Sequence, residues 1–326
     1  MNIKSILLAT AALAVTTGAA SAESLRFAYA SNATPTKEAM AHFGELVEEK
    51  TGGEVTVQFF PDSQLGGERE LVEMVQGGLL DMTKVSGGLM ESFSPVYGVF
   101  SMPYLFDSQE HFYAAMDNPE VTGPVYESTR DDGMVALTYY DSGARSFYTK
   151  DKPIMKVEDL KGLKIRVMQS PTSIRMVEML GGSPIAMGQD EVYTSIQQGV
   201  LDGAENNEFA ITIAGHGEVA KHYSYDVHTR IPDIMLISTA TLDRLSEEHR
   251  AAVIEAAKES TEFQKQAWNE AVEAAKKQSE EEFGVQFYYP EVAQFQQAVQ
   301  PMYDELAADP EKQLLFDAIR AAAGNS

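Results

Sequence analysis

Cysteine is absent from the 326 residues. That rules out disulfides, thiolate metal sites and a cysteine nucleophile together. Basic residues are scarce: 25 Lys and Arg stand against 49 Asp and Glu, a net charge of −24. This argues against nucleic-acid binding, whose footprint would be basic, and against adhesion to an anionic membrane surface. After the first twenty-two residues no apolar run reaches the ~18 residues of a membrane-spanning helix. The HExxH, GxSxG, GxGxxG and phosphate-loop motifs are missing as well. Six histidines are scattered, and His216, His222 and His228 fall at a spacing that does not share one helix face. No metal site and no cofactor are therefore expected.

The first twenty-two residues form a unit of their own. A positive start at Met1–Lys4 precedes an apolar stretch, Ile6–Ala20, and Ala20-Ser21-Ala22 supplies small residues for a signal peptidase. The segment reads as an export signal cleaved after Ala22, too short for a spanning anchor. Its removal takes one Lys and leaves a charge of −25. The whole chain is 44% apolar, ample for a core, and its length suits two domains.

A repeat organises that remainder. Glu70–Asp81 (ELVEMVQGGLLD) and Glu191–Asp202 (EVYTSIQQGVLD) share a Glu, a Gln, a Gly and a closing Leu-Asp at an offset of 121. Each reads as a short helix stopped by Gly and leading into a strand, Met82–Ser86 and Gly203–Asn207. Upstream, Leu25–Ala30 and Leu163–Met168 are matching strand candidates, each followed by a helix and a second strand. Both halves run β-α-β-α-β, the order of a parallel sheet with right-handed crossovers. Ligands of such sheets sit beyond the carboxyl ends of the strands. Those ends, Lys84–Ser86 and Glu205–Asn207, would form opposite walls of one cleft. Ser246–Phe283 contains no Gly or Pro, starts Ser-Glu-Glu and stops at Gly284. It predicts one helix on the order of 55 Å long, enough to lie along both domains.

Several side chains are candidates for chemistry. Arg166, inside the strand LKIRVM, is a ligand-holding fork, a solvated strand end or half of an internal ion pair. Arg145 lies in YYDSGARSFYTK, where Gly143 and Ala144 allow close approach and Phe147 and Tyr148 could wall a pocket; a plain surface turn fits equally. Asn206 and Asn207 both donate and accept, which suits sugar hydroxyls and equally an Asx turn.

Taken in order, FFPDSQLGGERE (59–70), SMPYLFDSQEHF (101–112), DLKGLKIRV (159–167), EVYTSIQQGVLDGAENN (191–207) and the long helix resemble the DctP-type solute-binding proteins of tripartite ATP-independent periplasmic (TRAP) transporters. The resemblance runs from Leu25 almost to the C-terminus. It implies a periplasmic-binding-protein-like α/β fold, two α/β domains around a ligand cleft with a long helix spanning both. The implied domains are 23–142 with 231–270, and 143–230 with 271–326. It implies a monomeric periplasmic receptor, not an enzyme, that captures a carboxylated solute and delivers it to a TRAP membrane permease. In the family the Arg of the KGLKIRV strand pairs with the ligand carboxylate, which places that role on Arg166. The second Arg matches Arg145, and the Asn of the DGxEN segment matches Asn206, with Asn207 adjacent. The opposite wall falls on Ser86, with Lys84 nearby; some relatives carry an acid there, so their ligand is not assumed. Asp233 occupies an acidic position of relatives and would accept from a sugar hydroxyl. YYDSGARSFY with DGAENN resembles the sugar-acid branch, whose members take glucuronate and galacturonate. Glu208-Phe209-Ala210 departs from the Pro-Ser-Tyr usual there. The competing expectations are a C4-dicarboxylate or keto-acid receptor, an exported uronate-processing enzyme, and a sensory domain.

Overall fold

The computed structural model describes residues 22–30 and 33–323. The export signal expected over 1–22 lies, apart from Ala22, outside the described residues.

Two sheets organise the chain. The first half runs β1 (Glu23–Tyr29), α1 (Thr34–Lys50), β2 (Val55–Phe60), α2 (Glu68–Gln76) and β3 (Met82–Ser86). After α3 (Gly87–Met90), α4 (Gln109–Met116) and α5 (Pro119–Glu127), β4 (Met134–Tyr140) returns to the same sheet. The chain then enters the second sheet with β5 (Arg145–Thr149), followed by β6 (Lys164–Val167), α6 (Pro171–Met179), β7 (Ser183–Ala186), α7 (Val192–Gln197) and β8 (Gly203–Asn206). α8 (Glu208–Thr212) and β9 (His222–Thr229) complete that excursion, and β10 (Asp233–Ser238) goes back to the first sheet. α9 (Thr239–Arg244), α10 (Glu247–Glu281), β11 (Gln286–Tyr288), α11 (Ala293–Ala307) and α12 (Pro310–Ala322) end the chain.

The strand orders are β2-β1-β3-β10-β4 and β11-β9-β5-β8-β6-β7. The parallel cores β2-β1-β3 and β7-β6-β8 have the same order, so the 121-residue sequence repeat is also an architectural one. The sheets are not purely parallel, as the β-α-β-α-β reading suggested. β10 runs antiparallel to β3 and β4, and β5 antiparallel to β8 and β9. Both antiparallel strands lie next to a chain crossing, and each reaches the middle of a sheet from the other one. No local pattern in the chain encodes such a neighbour.

α10 begins where Ser246 accepts a hydrogen bond from the His249 amide and runs 35 residues, about 52 Å. Val253, Ala256 and Ala257 pack into the core of the first sheet, and Trp268 and Ala275 pack with Ala33 and Phe209. Small residues on this face let α1 lie close against it. Midway, the Gln264 amide clamps Asp141 at the first crossing, accepting from its N–H at 3.0 Å and donating to its carbonyl at 2.7 Å. Arg230, at the second crossing, donates to both oxygens of the Asp141 carboxylate at 3.0 and 3.2 Å. Both crossings and the long helix are thus tied together at one buried aspartate beneath the cleft. The C-terminal α12 packs on α4 and α5, next to the first sheet, whereas the sequence expectation grouped it with the second domain. Its register is set by Leu315 and Ile319, whose apolar face finds the uncovered side of those helices.

Candidate functional site

β3 and β8 end at equivalent places, and a helix starts immediately after each. Ser86 Oγ accepts from the Gly88 amide at the start of α3, and Asn207 Oδ1 accepts from the Phe209 amide at the start of α8. Between these ends lies an open cleft with about 100 Å³ of free interior space. Lys84, Ser86, Arg145, Arg166, Asn206, Asn207 and Asp233, the seven residues singled out from sequence, all line it.

Arg166 is 3% exposed, which removes the solvated strand end from its alternatives. Its Nε and Nη2 donate to the Met187 carbonyl at 3.0 and 2.8 Å, and Nη1 donates to Gln189 Oε1 at 3.1 Å. No carboxylate pairs with it among the described residues, which also sets aside the internal ion pair. A guanidinium carries five N–H donors, so one on each terminal nitrogen is left without an acceptor. Burial pulls its pKa down, the Glu205 carboxylate opposes that, and Arg145 reinforces it. Among the described residues, Arg166 is thus a buried cation with two unclaimed donors and only neutral hydrogen-bond partners, an arrangement that an anion would satisfy.

Arg145 is placed differently. Glu205 grips its fork: Nε lies 2.6 Å from Oε2, and Nη2 lies 3.0 Å from Oε1 and 2.8 Å from the Glu205 carbonyl. Nη1 donates to Asn206 Oδ1 at 2.8 Å. This is no surface turn, since the whole of β5 is buried. The charge of Arg145 is cancelled by Glu205, and what it offers the cavity is one remaining N–H and a fixed Asn206. Behind it, His228 Nδ1 lies 2.7 Å from Asp226 Oδ2, and His228 Nε2 lies 3.4 Å from Glu205 Oε2. Burial alone would lower the His228 pKa, but the Asp226 and Glu205 carboxylates push it up to about 9. Burial likewise works against ionised Glu205, yet Arg145 and His228 hold it down to about 2. Arg145, Glu205, His228 and Asp226 therefore form a buried chain of two positive and two negative groups. Phe147 packs against His228 with centroids 4.5 Å apart and ring planes tilted by 38°, and the Tyr148 hydroxyl bonds His216 Nδ1 at 2.7 Å. Both rings are core, and neither walls the cavity as the sequence suggested: Arg145 opens β5 at the cleft, while Phe147 and Tyr148 lie further along the strand in the buried cores.

Both asparagines have structural work. Asn207 caps α8 and donates to the Ser142 carbonyl at 2.7 Å, so the Asx-turn alternative describes it well. Asn206 accepts from Arg145 and from the Asn207 amide, and donates to Gln189 Oε1 at 3.4 Å. Each amide retains one N–H beyond these bonds.

On the opposite wall Lys84 Nζ lies 2.8 Å from Asp233 Oδ2 and 3.8 Å from Glu68 Oε1. Antiparallel pairing of β10 with β3 sets Asp233 directly opposite Ser86. Glu68 Oε1 also accepts from the Ser86 amide at 3.2 Å. An acid therefore does face this part of the cavity, supplied by the first turn of α2 and not by the β3 end. Sequence reasoning missed Glu68, Gln189, Met168, Phe209 and Trp268, which also line the cavity. Glu68 stood inside the GGERE segment, but nothing there marks it off from Glu70. Trp268 lies on the long helix and meets Phe209 at 5.2 Å, giving the cavity an apolar side. The left-handed Gly143 leaves room for this ring, since a Cβ there would come within 3.2 Å of Trp268.

Comparison with known proteins places this geometry. Residues 27–309 match the family model of bacterial extracellular solute-binding protein, family 7 (DctP). An uncharacterised protein of Salmonella typhimurium, YiiZ, is 57% identical over 298 residues, 91% of each chain. A TRAP periplasmic solute-binding protein from Anaerococcus prevotii, solved with bound D-glucuronate, is 41% identical with a TM-score of 0.89 over 93% of this chain and 99% of its own. A second, from Sulfitobacter with bound β-D-galacturonate, is 37% identical with a TM-score of 0.86 over 92% of this chain and 100% of its own. No helix among the described residues is long and apolar enough to cross a membrane. With two sheets built on one repeat, a cleft between their strand ends and a family match over most of its length, the chain belongs to the DctP family of bacterial extracellular solute-binding proteins.

Proposed function

We propose that this protein is a periplasmic receptor that captures a hexuronate, glucuronate or galacturonate, and presents it to a TRAP membrane permease. The observation that carries the reading is Arg166: a buried guanidinium that, among the described residues, has two unclaimed N–H donors and no paired carboxylate. The ligand carboxylate takes that place, the spare N–H groups of Arg145, Asn206 and Asn207 meet ring hydroxyls, and Phe209 and Trp268 cover an apolar face. The uronates bound by the two structural relatives support this choice. The protein binds and releases its ligand unchanged, acts as a monomer, and loses its leader after Ala22. Its two domains are 23–142 with 231–270 and 143–230 with 271–326; the packing of α12 on α4 and α5 favours moving 310–322 to the first.

A ligand held between two walls binds the closed arrangement best, and that differential affinity drives closure. Arg69 Nε donates to Gln169 Oε1 across the cleft at 2.9 Å, so the two walls already meet at this edge. The test is a thermal-shift panel of organic acids, followed by mass spectrometry of the ligand recovered from the complex. Glucuronate or galacturonate should stabilise the protein most and be recovered intact. Succinate or malate giving the larger shift, or recovery of a converted product, would overturn the reading.

A further inference from the structure

We infer that this site takes one carboxylate only: the wall facing Arg166 demands hydroxyl donors and rejects a second carboxylate on the ligand. The inference rests on the proposed function and narrows its substrate class to polyhydroxy monocarboxylates, excluding the corresponding diacids.

Charge is divided unequally across the cleft. On the second-sheet wall the Arg145 charge is consumed by Glu205, so Arg166 is the cation left to neutralise an incoming anion. One carboxylate satisfies it. The first-sheet wall carries Glu68, Lys84 and Asp233, two acids for one base. Lys84 is already held at 2.8 Å by Asp233 and lies 3.8 Å from Glu68. It has no charge to spare for a ligand.

The hydrogen-bonding capacity of that wall points the same way. Glu68 Oε1 accepts from the Ser86 amide, and Asp233 Oδ2 accepts from Lys84. The other oxygen of each, Glu68 Oε2 and Asp233 Oδ1, accepts no hydrogen bond among the described residues. Burial raises the Glu68 pKa and Lys84 opposes that; in their ionised forms both carboxylates accept and cannot donate. Two open acceptors on a largely buried wall therefore call for O–H groups on the ligand. A second carboxylate brings no hydrogen and adds a like charge against two acids, a strongly unfavourable juxtaposition where water is excluded. The Ser86 hydroxyl accepts from Gly88 and donates to the Met168 sulfur.

The test titrates the protein calorimetrically at pH 8 with D-glucuronate, D-gluconate and D-glucarate, the diacid of the same carbon skeleton. D-glucarate should bind at least about 100-fold more weakly than the better of the two monocarboxylates. In Glu68→Gln, whose amide can donate, that ratio should shrink tenfold or more. D-glucarate within tenfold of the better monocarboxylate in the unmutated protein would overturn the inference, whether or not the variant folds. So would a ratio in Glu68→Gln that stays within threefold of the unmutated value or beyond measurement. Gluconate preferred over glucarate with no glucuronate binding would support the single-carboxylate rule while counting against the hexuronate reading.

Discussion

Replacing Arg166 by Lys isolates the fork from the charge. Arg166 spends three of its five N–H donors on Met187 and Gln189 and keeps two for the ligand. A lysine ammonium has three donors and no fixed plane. With the Met187 carbonyl and Gln189 Oε1 unchanged, one donor remains for a carboxylate that previously had two. The loss is one hydrogen bond between charged groups, about 1.5–3 kcal/mol, or roughly 10- to 150-fold in Kd. Calorimetric titration with D-glucuronate reads this directly. A second variant separates binding from folding. Arg166→Met removes a buried cation that no carboxylate neutralises, so the ligand-free melting temperature should hold or rise. The ligand-induced stabilisation, about 2.7 kcal/mol at a hundredfold excess over Kd, should vanish. Affinity of Arg166→Lys within threefold of the unmutated protein would refute the assignment, as would an unaltered ligand-induced shift in Arg166→Met.

The buried chain around Glu205 sets a pH window for stability. His228, raised to about 9, stabilises fully below its ordinary value near 6.5 and loses that contribution as pH rises through 9; Glu205, lowered to about 2, contributes above about 4.5 and loses it as pH falls towards 2. Melting temperatures followed from pH 3 to 10 should therefore peak between about 4.5 and 6.5, and His228→Gln should flatten the alkaline limb. Trp268 is the single tryptophan of the chain and lines the cavity, so its emission should change on saturation with glucuronate, and an unchanged spectrum with binding confirmed by calorimetry would place the ligand elsewhere. Small-angle scattering should show a smaller radius of gyration with saturating hexuronate; an equal radius would mean that the cleft is closed before the ligand arrives.

The sequence by itself determined the elements and their repetition. Local signals suffice for that: the Ser246 cap and the Gly284 stop bound the long helix, and the matched Gly78 and Gly199 end the paired short helices at left-handed positions. The seven residues drawn from motifs all reached one cavity, because strand ends that are equivalent in a repeat must face each other when the halves do. Their partners were not legible. Nothing in YYDSGARSFY says that Glu205 will saturate Arg145, and nothing in the run of histidines says that His228 will be charged behind it. Those contacts join positions 60 and 23 residues apart, brought side by side only by the antiparallel pairing of β5 with β8 and β9. The same holds for the acid opposite Arg166, sought at the end of β3 and supplied by Glu68 from the start of α2. A side chain's type and its strand position are properties of the chain; which of its donors remain unclaimed depends on neighbours distant in sequence. In this protein that difference separates Arg166, with two N–H donors unclaimed among the described residues, from Arg145, already paired with Glu205.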